Sequence, residues 1–128
     1  MNQMHNKQAN IRMTLVLLWI VVMVNMLFAD IFGIMVELVE GNTLNIPGDV
    51  KTVMAIAAVV TNVPILMIIL SWVLPYKANR LANISAALFT ILYVIGGGSS
   101  MPHYLIIASI EVVLLVIIFI KALKWRTD

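Results

Sequence analysis

A chain of 128 residues that is 62% hydrophobic and 11% charged, with a mean hydropathy of +1.05, has too little polar surface to cover a water-soluble globule; soluble domains carry about 25% charged residues. The net charge of +2 is spread over segment ends, which excludes the basic patch of a nucleic-acid binder. Cys is absent, which excludes disulfide exchange, thiolate catalysis and Cys-ligated metal sites.

A single domain is expected at this length. Residues 1–11 are polar (Asn2, Gln3, His5, Asn6, Lys7, Gln8, Asn10) and read as a short amphipathic or disordered lead. The first apolar run follows. Its 17 uncharged residues from Met13 to Ala29 exceed a usual signal-peptide core, and no clear A-x-A site follows. It is therefore expected to stay in the protein as span one, over residues 13–33. A hydrocarbon core of about 30 Å needs about 20 helical residues. Ile34, Met35, Leu38 and Val39 alternate with Glu37 and Glu40 at helical spacing, so helix one is expected to protrude before Gly41-Asn42 stops it.

Asn42, Asn45, Pro47 and Gly48 supply turn chemistry, and Asp49 is the expected N-cap of span two, residues 50–74. Pro64 lies inside that span and predicts a kink with a freed carbonyl one turn earlier. Pro75 closes it, and the short connection to Arg80 forces an antiparallel hairpin with span three, residues 79–95. Gly96-Gly97-Gly98-Ser99-Ser100 and Pro102 end span three. No strand precedes that stretch and no Lys-Ser/Thr follows it, so it is a turn rather than a phosphate loop. Span four covers residues 103–123.

The expected fold is thus all-α: a polytopic membrane protein, one up-down-up-down bundle of four transmembrane helices in a lipid bilayer. Lys7, Arg12, Lys77, Arg80, Lys121, Lys124 and Arg126 fall on one side and Lys51 alone on the other, against Asp30, Glu37, Glu40 and Asp49. By the positive-inside rule both termini are expected in the cytoplasm. Trp19 and Trp72 then lie toward the inner half, Trp125 and Tyr76 at the inner interface and Tyr104 at the outer one.

Polar residues at depth mark candidate sites. Glu111 lies roughly 10 Å into the core at 1.5 Å per residue, where an unpaired carboxylate costs a few kcal/mol. Asn25 and Asn62 come out at a similar level. Small residues run along the same helix faces: Ala29 and Gly33 with Asn25, Ala55 and Ala58 with Asn62, and Ala108 with Glu111. This predicts that the three polar groups meet inside the bundle. Asp30 sits higher, on another face of helix one, and is expected to line an outer vestibule. The plainer reading of the cluster is a hydrogen-bonded set that fixes helix register. The functional reading is a ligand site built from Glu111, Asn25, Asn62 and Asp30.

Two functions follow. The first is binding or transport of a small lipophilic or cationic molecule in a pocket between helices, with Glu111 supplying charge or a proton, the Asn pair orienting the ligand and Asp30 attracting cations. The alternative is a non-catalytic partner subunit or assembly factor, whose small-residue stripes meet another membrane protein or a second copy of this chain. Catalysis has the least support, since no nucleophile–base pair exists; acid–base work on a lipid by a buried carboxylate is the one route left. No cofactor is expected. Two His, on opposite sides of the membrane, and no Cys make a poor metal-ligand set.

At Asn25-Met-Leu-Phe-Ala-Asp30-Ile-Phe and again at Pro75-Tyr-Lys-Ala-Asn-Arg80-Leu-Ala-Asn83 the chain resembles an uncharacterised family of small bacterial four-helix membrane proteins. More loosely, its size and span count are similar to the DoxX-like group. The resemblance implies a bacterial inner-membrane setting and carries no site residues with it.

Overall fold

A computed structural model of the chain describes residues 2–41, 48–97 and 100–126. They form four helices: α1 (Asn2–Val39), α2 (Val50–Val73), α3 (Tyr76–Gly96) and α4 (Pro102–Lys124). All four are long and apolar enough to cross a membrane. The turn chemistry expected at Asn42, Asn45, Pro47, Gly98 and Ser99 lies outside the described residues.

The polar lead is helical rather than disordered, so α1 is one helix of 38 residues, about 57 Å at 1.5 Å per residue. That exceeds a bilayer core, and both ends overhang. Gln8 meets Arg126 at the close of α4, and Phe32 meets His103 at its start, with ring centroids 6.3 Å apart. Residues 33–39 therefore run on past the start of α4. Gly41 stops the helix at φ +70°, a left-handed conformation that a side chain disfavours.

Asp49 caps α2 as its position implies. Its Oδ2 accepts from the Thr52 backbone N–H at 3.1 Å and from the Thr52 hydroxyl at 2.7 Å. These bonds favour the carboxylate and hold its pKa below the ordinary 3.8. The helix runs without interruption through the buried Pro64.

Short connections make successive helices antiparallel. α1 packs against α2 and α4, and α3 packs against α2 and α4. The backbones of the diagonal pairs stay apart among the described residues, so the bundle is a four-cornered ring. Its core follows three- and four-residue spacing: Leu15, Trp19, Val22 and Met26 on α1, and Glu111, Leu115, Ile118 and Ala122 on α4. This is the seam of near-antiparallel helices packed knobs-into-holes. α3 contributes Asn79, Asn83, Ala86, Thr90 and Val94 at the same rhythm. α2 contributes only Pro64, Met67 and Ser71, all in its second half. Its first half and the last turns of α1 leave Ile34, Leu38, Met54, Ile56 and Val59 exposed. Water would penalise such a surface; lipid tails do not.

Candidate functional site

Near the start of α4 the ring encloses a pocket of about 90 Å³. Met26, Ala29 and Asp30 of α1, Tyr93 and Val94 of α3, Gly97, and Tyr104 and Glu111 of α4 line it. The three helices bring two carboxyls and two phenols to one point. Glu111 is 3% exposed, whereas Asp30 is open to the surroundings, so one acid sits in the wall and the other at the rim. Tyr104 is held in place by its hydroxyl, which donates to the Val94 carbonyl at 2.8 Å across the α3–α4 hairpin. Glu111 Oε1 is buried and has no hydrogen-bond partner among the described residues. A buried polar atom left so is a costly exception in a folded chain. The pocket has room for a few waters or a small ion. It falls well short of the roughly 300–1,000 Å³ of sites for drug-sized molecules.

The expected meeting of Asn25, Asn62 and Glu111 does not form. Asn62 is exposed on α2, and its Nδ2 donates to the Ala58 carbonyl of its own helix at 2.7 Å. Ala55 and Ala58 are exposed with it. Asn25 is half-buried and does not line the pocket. Asp30 takes the place next to Glu111 instead. The physical reason is angular: at about 100° per residue Asn25 and Asp30 point about 140° apart, so one helix cannot aim both at α4. The phenols of Tyr93 and Tyr104 were missed as site residues. Their signal was available, since both fall near the same end of an antiparallel hairpin.

A second polar cluster, also missed, lies at the other end of the bundle. Asn83 Oδ1 accepts from the Trp19 indole N–H at 2.7 Å and from the Ser71 hydroxyl at 3.2 Å. Its Nδ2 donates to the Asn79 backbone carbonyl at 2.9 Å and to Asn79 Oδ1 at 2.7 Å. Asn79 Nδ2 in turn donates to the carbonyls of Ser71 (2.7 Å) and Leu74 (3.3 Å). Every valence of the Asn83 amide is used, so this cluster is satisfied and structural. It crosses the diagonal from α1 to α3. Trp19 is therefore a core residue. Trp125, at the end of α4, is another: it is 1% exposed, stands edge-on to Tyr76, and its indole N–H donates to Gln8 at 2.6 Å. The contrast separates the two ends: a closed hydrogen-bond network at one, an unsatisfied acid in a small cavity at the other.

No curated protein and no solved structure matches the chain. One family model does, over residues 2–128, that of a family of unknown function (DUF6326). The four-helix chain thus belongs to that family.

Proposed function

We propose that this protein is a bacterial inner-membrane protein, with both termini in the cytoplasm, that binds a small monovalent cation in the pocket of Glu111 and Asp30. The orientation is supported by the Lys/Arg bias, and the bacterial setting by the resemblance of its two motifs. The observation that carries the ligand class is the orphaned Oε1 of Glu111. A cation in the cavity would offset the cost of that buried oxygen, with Asp30 raising its local concentration and the two phenols offering further oxygens. The small volume favours an ion over a lipophilic drug-sized molecule. Reversible occupancy of such a site is the minimum a transport role requires.

Two probes test this on the purified protein in detergent: radioactive sodium ion and methylammonium. The wild type is expected to bind one of them saturably. Glu111→Gln keeps the shape but removes the charge and should lower affinity more than about tenfold, while Asp30→Asn should weaken it less. Saturable binding that survives unchanged in Glu111→Gln, or a wild type that binds neither probe, defeats the proposal.

One observation favours a second reading, the partner subunit. The exposed Ala55, Ala58 and Asn62 place small residues and an amide on the outer face of α2, where a membrane helix can approach closely. If the partner is a second copy of this chain, native mass spectrometry of the same preparation should show a dimer that Ala58→Leu splits; a monomer throughout rules out self-association at this face.

A further inference from the structure

We infer that the groove between the beginning of α1 and the end of α4 is a binding site for the headgroup of an anionic phospholipid. The groove is distinct from the acidic pocket and lies at the opposite end of the bundle. Its volume is about 790 Å³. Lys7, Lys121 and Lys124 line it, with the amides of Gln3, Asn6 and Asn10.

Charge is the first argument. No carboxylate is found at this end among the described residues: Asp30, Glu37, Glu40 and Asp49 lie at or beyond the other end, and Glu111 within the bundle. Arg12 and Arg80, the neighbouring guanidiniums, are already engaged by backbone carbonyls. Among the described residues Lys7, Lys121 and Lys124 therefore face no carboxylate. The positive end of the α1 dipole and the negative end of the α4 dipole meet in this groove and oppose each other, so the field there is that of the lysines.

The shape of the lining decides between a lipid and a free phosphate. From Lys124 the groove descends past Ile120 to Ile117 on α4, and from Asn10 past Ile11 to Thr14 on α1. Seven residues of helix α4 cover about 10 Å, so the lining passes from ammonium groups to hydrocarbon along the membrane normal. An occupant with a charged head and an apolar tail matches both halves. A free phosphate matches the upper half only. Basic clefts between membrane helices at the cytoplasmic face recur as sites for anionic lipids.

The test uses the full chain in a non-ionic detergent, incubated with equal amounts of phosphatidylglycerol and phosphatidylcholine and weighed by native mass spectrometry. The wild type should retain phosphatidylglycerol over phosphatidylcholine. The double variant Lys121→Gln, Lys124→Gln should reduce that preference about tenfold. These side chains are exposed, so the fold is retained. Lys77→Gln removes a charge at the same end but outside the groove, and should leave the preference intact. Equal retention of the two lipids overturns the inference, as does an equal loss in Lys77→Gln, which would mark diffuse charge. Displacement of the lipid by millimolar glycerol phosphate also overturns it, by showing that the headgroup chemistry alone suffices.

Discussion

Asn83→Leu should destabilise the bundle by about 2–3 kcal/mol, while Asn62→Leu should stay within about 0.5 kcal/mol of the wild type. Both exchanges remove an Asn from a membrane helix and keep side-chain volume roughly constant. They differ in what is left behind. Loss of Asn83 strands the Trp19 indole N–H, the Ser71 hydroxyl and Asn79 Oδ1, all buried, and unties α1 from α3 across the diagonal. Single hydrogen bonds in membrane proteins average about 0.6 kcal/mol, because the groups find other partners in the unfolded reference state. Here several are lost together among fully buried residues, so the sum rises above that average. Loss of Asn62 frees a carbonyl that its own helix already serves. Unfolding in rising dodecyl sulfate, followed by Trp fluorescence, measures both. Equal shifts in the two variants would show that the Asn83 network contributes no more than a surface amide.

That pair of residues also shows how far the sequence could be read. Counting residues at 1.5 Å each gives helix length and level, so the four long helices, the Asp49 cap and the stop at Gly41 were legible. Rotation of each helix about its own axis was not. A soluble helix announces its inner face by an apolar stripe, but lipid is as apolar as the core, so the faces of α2 carry no such signal. Asn62 and Glu111 were assigned a common level by counting and then a common interior because polar and small residues share their helix faces. Polarity does not decide facing when a side chain can satisfy itself on its own helix, as Asn62 does. The small-residue stripe of α2 misled for the same reason. What would have helped is the three- and four-residue rhythm of Asn79, Asn83, Ala86 and Thr90, which tracks one face of α3 and carries three polar groups on it. Asp30 and Glu111, by contrast, were read as the entrance and the interior of one ligand site, and they do line one pocket.

A second large effect is expected at Arg12. Helix ends leave carbonyls without an N–H partner, and in this bundle neighbouring helices supply the donors. Arg12 on α1 donates from Nη1 to the carbonyls of Trp72 (2.9 Å) and Leu74 (2.6 Å) at the end of α2, and its guanidinium lies 5.7 Å from the centre of the Trp125 ring. Arg80 on α3 does the same for α4, donating to the carbonyls of Ala122 (3.1 Å) and Leu123 (2.8 Å). Each arginine thus joins two helices and neutralises the negative end of one of them. Hydrogen bonds to a charged group contribute about 1.5–3 kcal/mol, and the half-buried setting of Arg12 puts its loss in the lower part of that range. Arg12→Met should cost about 1.5–2 kcal/mol in the same unfolding assay. Arg12→Lys should recover less than half, since an ammonium cannot stack on Trp125 while serving both carbonyls in one plane. The position gives a second readout that general destabilisation would not move. Arg12 anchors the last turn of α2 just before the Leu74-Pro75 connection, so its removal should speed tryptic cleavage after Lys77 under native conditions. Cleavage at Lys77 should stay slow in Asn83→Leu at matched detergent. If both variants are cut equally fast, the guanidinium acts through overall stability and not as a clamp on that helix end.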